Sequence, residues 1–299
     1  MIKNKRCKKI QEKEIPDIDL KKTVEQGKKE KMDELTENIK KNMEKIKHKI
    51  VIISGKGGVG KTTVAVNLAM SLVSVGLRVG ILDVDITGPN VLKMLGIDPN
   101  LKPRVDPEKK RFYPVNGPLN LKAMSMAFLI ESSDSPVIWR GPMKMSAVRQ
   151  FLGEAIWGEL DYLICDLPPG TSDETLDILQ LIPDENVIVV STPQEVALMD
   201  ARKTIKMAQI MERKVLGIIE NMSGFNCPHC GEYIDLYPPG GVEKAAQDFN
   251  IRLLGKIPFE IEVSQQGDQG MPFILKYPES ISTRAFKETV KKIREILEK

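Results

Sequence analysis

The sequence predicts an α/β fold: a mostly parallel β-sheet flanked by helices on both faces. Three observations carry this. Nearly continuous Val/Ile/Leu runs recur along the chain, the signature of strands covered on both faces. Helical spacing of apolar residues alternates with those runs, as crossover connections between parallel strands require. Glycine- and proline-rich loops close the strands, and the first such unit, IVIISGKGG followed by TTVAVNLAMSLVSVG, reads as strand, loop and helix ended by Gly76.

The remaining elements follow in order. Residues 27–49 are charged, with Met32, Leu35, Ile39, Met43 and Ile46 three or four apart, which predicts one helix docking its stripe on the body. RVGILDVD is the second strand, and LNLKAMSMAF in the proline-bearing stretch 97–138 adds one more. LDYLICDLPPG, NVIVVSTPQ, VLGIIENMS and RLLGKIPF supply further strands, with a helix beginning near Val196. The last segment, STRAFKETVKKIREILEK, is a helix with Phe286, Val290, Ile293 and Leu297 on one face.

A chain of 299 residues accommodates one large α/β domain with an appendage. We expect residues 1–27 to form a basic arm and 28–299 a single domain with an N-terminal helix. The 41% hydrophobic and 28% charged fractions are those of a soluble globular protein. No run approaches the ~18–20 apolar residues that crossing a bilayer needs. MIKNKRCKKI leads into QEKEIPDIDLKK and not into an apolar leader, so a cytoplasmic protein is expected. The net charge of +3 is too small to argue for nucleic acid. Residues 1–49 hold 16 Lys/Arg against 10 Asp/Glu, which reads as a solvated helix face or tail. Neither nucleic acid nor membrane is expected as a partner.

Gly55 to Thr62, GKGGVGKT, fits G-x-x-x-x-G-K-[ST] with the required strand before it and helix after it. Gly55, Gly57, Gly58 and Gly60 let the backbone N–H groups turn inward on phosphate, while the following helix aims its positive end at the same charge. The nucleotide-binding stretch therefore runs from Gly55 through Lys56, Val59, Lys61, Thr62 and Thr63. Lys61 is expected on the β/γ-phosphates of ATP and Thr62 on Mg²⁺.

FNCPHCGEY places Cys227 and Cys230 at the spacing with which two thiolates hold one metal centre. Two sulfurs are half a site. Cys165 lies in the apolar run YLIC, where cysteine is a small buried hydrophobe, and Cys7 stands alone in a charged segment. The economical completion is the same loop from a second chain, giving four thiolates across a two-fold axis. Zinc bound at the same thiolates and a redox-active pair are the other readings of a CxxC. His229 and His48 carry no motif.

With Lys56 added, GKGGVGKT resembles the deviant phosphate loop of the ATPases that include nitrogenase iron protein, MinD, ParA, the arsenite and tail-anchored-protein ATPases, and the Mrp/ApbC iron–sulfur carriers. The resemblance implies that Lys56 reaches across a dimer interface to the partner's nucleotide. DVDITGPN is similar to the first switch of that superfamily, which implies that Asp85 orients the attacking water and Asp83 lies near the Mg²⁺ shell. DLPPGTSDE is similar to the second switch, implying that Asp166 holds Mg²⁺ through water. An acid after an apolar strand is otherwise a helix cap. Within the superfamily, Mrp/ApbC proteins are the nearest resemblance: Asn221, Met222 and Ser223 precede Cys227, Pro228 and Cys230, with VIWRGPM at 137–143 and IPF at 257–259. It implies that Asn221 contacts adenine, with Pro258 closing over the base. The second cluster of longer relatives is not expected, since only Cys7 lies in the N-terminal segment.

Together these readings predict an ATPase that carries a 4Fe–4S cluster on Cys227 and Cys230 of a homodimer. It would receive the cluster from a donor scaffold and pass it to apo iron–sulfur proteins. A MinD/ParA-like positioning ATPase, supported by the amphipathic last helix, and a zinc-bridged nucleotide-binding scaffold are the alternatives.

Overall fold

The computed structural model describes residues 20–98, 100–109, 111–130, 141–227 and 229–299, with side chains from residue 30. Most of the basic arm, with Cys7, lies outside them, as do Pro228 and residues 137–140 of the VIWRGPM segment. Helix α1 (Leu20–Met43) leads into strand β1 (Ile46–Ile53), helix α2 (Lys61–Ser74), β2 (Val79–Asp83) and the single turn α3 (Val91–Met94). A small hairpin of β3 (Arg104–Asp106) and β4 (Arg111–Tyr113) precedes β5 (Val115–Asn116) and β6 (Lys122–Ser125). The chain continues through α4 (Gly141–Gly153), β7 (Leu160–Asp166), α5 (Asp173–Leu181), β8 (Glu185–Ser191), α6 (Glu195–Ile210) and β9 (Lys214–Asn226). It ends with β10 (Tyr233–Ile234), α7 (Gly241–Asp248), β11 (Arg252–Phe259), α8 (Ile261–Gln269), α9 (Phe273–Lys276) and α10 (Ile281–Leu297).

The main sheet runs β9-β8-β1-β7-β2-β6-β5, and both β10 and β11 pair with β9. All its pairings are parallel except the two short ones, β10 with β9 and β5 with β6. Phe225 pairs with Phe259 on one side and Ile234 on the other, so β11 forms the outer edge. Ile50 to Ile53 and Val187 to Val190 are buried, as their unbroken apolar runs require. The crossover from β1 to β2 runs one way along the sheet, while those from β7 to β8, β8 to β9 and β9 to β11 run the other way. Right-handed crossovers therefore place α2 on one face and α5, α6 and α7 on the opposite face. The reversal falls at the carboxyl end of β1, where such sheets bind ligands.

Two expectations need correction. The first helix ends at Met43, not near Lys49, and Ile46 is a strand residue paired with Leu160. Its helical spacing is coincidental, because pairing with β7 decides the conformation. Lys47 on the same strand meets Asp161 at 2.8 Å. Of the α1 stripe, Leu35, Ile39 and Met43 are buried but Met32 is exposed. The docking site is α4, where the Asn42 amide donates to the carbonyls of Leu152, Gly153 and Ala155 at 2.9–3.0 Å. The helix end that would otherwise show unsatisfied carbonyls is thereby closed. The apolar face of α10 is likewise used internally: Phe286, Val290 and Ile293 are buried, and the helix packs on α2 and β11. Among the described residues no helix is long and apolar enough to cross a membrane.

β9 is irregular at its carboxyl end. Asn221 pairs with Ile257 and Phe225 with Phe259, so residues 222–224 of β9 stand opposite the single residue Pro258. Proline has no N–H to give the ladder, and a bulge is where a sheet tolerates it. Met222 within the bulge adopts φ of 56°, the left-handed region.

Candidate functional site

The glycine loop leaves β1 at the switch in strand order and ends at Gly60, which precedes α2 with φ 80° and ψ 27°. A side chain there would be strained and would run into the Asn221 amide. No side chain caps α2. The amides of its first turn are thus left to an anion in front of the helix. Ser54 donates its hydroxyl to the Lys56 carbonyl at 3.1 Å, and the Gly170 amide donates to the Ser54 carbonyl at 2.8 Å, fastening the loop to the segment after β7.

Both oxygens of Asp166 are engaged by the start of α2. Lys61 Nζ donates to Oδ1 and Thr62 Oγ1 to Oδ2, each at 2.6 Å. Asp166 is fully buried, and α5 is preceded by Ser172, so Asp166 is not a helix cap. Asp83 stands beside it at the end of the neighbouring strand. Asp83 accepts from the amides of Asp85 and Val91 and from Ser125 Oγ, the last at 3.0 Å. Burial pushes both carboxyls above their ordinary range, with the Asp166 charge adding to the rise at Asp83 and the Asp85 charge to that at Asp166, while Lys61 works against the rise at both. A hydroxyl and a carboxylate 2.6 Å apart form the all-oxygen set that a hard cation prefers, so Thr62 and Asp166 fit Mg²⁺.

The cleft in front of the loop, about 280 Å³, is lined by Lys56, Lys61, Thr62, Thr63, Asp85 and Pro169 among others. Asp85 is nearly buried, and its Oδ1 accepts from Thr87 Oγ1 at 2.6 Å and from the amides of Thr87 and Gly88. These bonds aim the carboxylate into the cleft. Lys56 is exposed, and its side chain bonds no described residue. Asn221 sits directly under the loop, its amide donating to the Val59 carbonyl at 2.8 Å. Pro258 follows Ile257, the partner of Asn221, and its carbonyl accepts from Ser282 Oγ at 3.0 Å. The structure therefore gathers Gly55 to Thr63, Asp83, Asp85 and Asp166 at one sheet edge, with Asn221 and Pro258 beside the loop. Ser125 and Thr87, which orient two of the acids, carry no signature of that role in the sequence; the one local signal is that Ser125 is a polar residue closing β6.

Cys227 follows the end of β9 and lies six residues beyond Asn221, at most about 20 Å along an extended chain, with Cys230 three residues further on. Their turn is closed by the Cys227 amide donating to the Glu232 carbonyl and the Gly231 amide donating to the Cys227 carbonyl, both at 2.8 Å. The backbone amides of Cys230 and His229 point at the Cys227 sulfur and hold its thiol below the ordinary range. N–H groups aimed at sulfur favour thiolate. Among the described residues no cluster of three or more His, Cys, Asp or Glu is arranged to hold a metal. Cys165 is sealed in β7, where burial drives its thiol far upward.

Glu220, the neighbour of Asn221, is buried next to Lys256 and Glu243, and burial raises its carboxyl to about 7 from an ordinary 4.5, with Lys256 opposing the rise. An acid with a raised folded-state value binds more protons folded than unfolded between those two limits. Its contribution to stability accordingly falls as pH climbs from about 4.5 to about 7. Glu220→Gln should therefore exceed the wild type in stability by roughly 1–2 kcal/mol at pH 8, allowing for screening at Lys256, with the gap closing toward pH 5. Urea unfolding at the two pH values measures this.

A strand, a glycine loop carrying lysine and threonine into a helix, and acid-tipped strands alongside define a P-loop NTPase. Solved structures bear out the class. MinD from Pyrococcus horikoshii, complexed with Mg-ADP, superposes with TM-score 0.62 at 23% identity, covering 83% of this chain and 96% of that one, a likeness of fold. A nucleotide-binding protein from Archaeoglobus fulgidus, described as complexed with ADP and with cobalt found in it, gives TM-score 0.70 at 38% identity over 80% of this chain and 92% of that one. The chain belongs to the ParA family in the group described as NUBPL iron-transfer P-loop NTPase, which matches residues 45–294. It is 48% identical to a Methanocaldococcus jannaschii protein named iron-sulfur cluster carrier protein, over 87% of this chain and 88% of that one. A protein of the same name from Saccharolobus solfataricus is 42% identical over 87% of each chain.

Proposed function

We propose that this protein is an ATP-dependent carrier of 4Fe–4S clusters, with residues 28–299 acting as one ATPase domain that bears the thiol hairpin. Two copies pair, and Cys227 and Cys230 of each donate four thiolates to one shared cluster, taken from a donor scaffold and delivered to apo iron–sulfur proteins. The observation that carries this reading is the tight, thiolate-favouring turn at Cys227 with, among the described residues, Cys230 as its one cysteine partner. The names of the relatives support it. Lys61 and the first-turn amides of α2 would bind the β/γ-phosphates, Thr62 would hold Mg²⁺ directly and Asp166 through water, and Asp83 would stand near that shell. Asp85, fixed by Thr87 and Gly88, orients the attacking water; Asn221 and Pro258 meet the base, and Lys56 compensates charge on the partner's nucleotide. Nucleotide state thereby governs how two chains face each other and whether the cluster is held.

Anaerobic reconstitution tests this. It should give about four iron per two chains, with the mass of a dimer. A full cluster on an obligate monomer overturns the bridge. The same amide-supported turn suits zinc, so metal analysis of anaerobically purified protein, with its visible spectrum, decides between the two.

A further inference from the structure

The bulge in β9 leaves the Ser223 carbonyl outside the parallel ladder opposite Pro258, and Tyr233 from β10 takes it up. Its hydroxyl donates to Ser223 O at 3.2 Å, and its ring lies so close to Gly224 that a Cβ there would occupy the hydroxyl's place. Tyr233 is about half exposed, at 54%, so this contact is not core packing. It also pairs across the hairpin with Asn226, the residue before Cys227. The other end of the bulge touches the phosphate loop: Asn221 is bonded to Val59, and a Cβ on Gly60 would lie 3.7 Å from the Met222 methyl. One short irregular segment is thus gripped by the loop at its start and by the thiol hairpin at its end.

We propose that Tyr233 is a positioning residue for the thiol pair and that the bulge it clasps is the joint through which loading of the phosphate loop shifts Cys227 and Cys230. Tyr233 acts through Ser223 and Gly224 of the bulge. A phosphate settling in the loop moves the Val59 carbonyl and Gly60, the left-handed bulge takes up the displacement, and the clasp passes it to the hairpin within a single chain. Without the clasp, hairpin and strand move independently. The inference rests on the nucleotide-gated reading above.

Cobalt(II) alone serves as probe, read by sulfur-to-cobalt absorption in excess Mg²⁺, with and without a non-hydrolysable ATP analogue. In the wild type the analogue should change the cobalt dissociation constant by at least about 5-fold. In Tyr233→Ala that change should fall below about 2-fold, while ATP hydrolysis and nucleotide-free cobalt binding stay within about 2-fold of wild type. Tyr233→Phe, which keeps the ring on Gly224 but loses the Ser223 bond, should lose part of the effect. A Tyr233→Ala protein with the full nucleotide effect overturns the clasp and leaves the carrier reading standing. A wild type whose cobalt affinity ignores nucleotide overturns the gate, and the clasp with it.

Discussion

Lys61→Met should lower ATP hydrolysis by at least about 10²- to 10³-fold while the fold persists, because a preorganised cationic donor on transferring phosphoryl oxygens contributes on that scale. The ammonium is buried and held 2.6 Å from Asp166, so it is oriented before substrate arrives. Its removal leaves Asp166 bonded only to Thr62 among the described residues and takes away the cation that opposes the burial-driven rise of its carboxyl. The defect therefore combines lost charge compensation on phosphate with a disturbed carboxylate beside the loop. Phosphate release at saturating Mg-ATP measures it, and circular dichroism checks the fold. A Met variant with the wild-type rate would remove Lys61 from the mechanism.

The second large effect concerns the thiols. Cys227→Ala should reduce reconstituted iron to background, whereas Cys165→Ala should leave iron unchanged. The contrast follows from environment: amides of His229 and Cys230 stabilise a thiolate at Cys227, while Cys165 lies in the sheet core next to Asp166 and stays a neutral thiol. Losing one of two thiolates per chain leaves a pair of chains with two, too few for a four-cysteine cluster. Iron retained in the Cys227→Ala protein would place the cluster elsewhere.

The parts of this architecture that were readable in the sequence are those whose signal is local. The phosphate loop is a contiguous pattern, and the central strands are unbroken apolar runs because both faces are covered. What escaped depends on partners far along the chain. Ile46 joins β1 because Leu160 is there to pair with it, and β3, β4 and β10, at two or three residues each, are too short to show alternation. Ser125 orients Asp83 from 42 residues away, and Tyr233 meets Ser223 at a bulge that no local pattern announces. The resemblance placed Asn221 at the base; its bond to Val59, which ties the phosphate loop to the strand bearing Cys227, needed coordinates.

The outer strand β11 has a consequence for how copies of this chain meet. A bare strand flank invites another to zip onto it, but this one presents solvent-exposed Arg252 and Lys256, with Pro258 at its far end. Charged side chains along the edge and a missing donor oppose continuous strand-on-strand pairing. Edge-to-edge joining of two copies through that flank is thereby disfavoured.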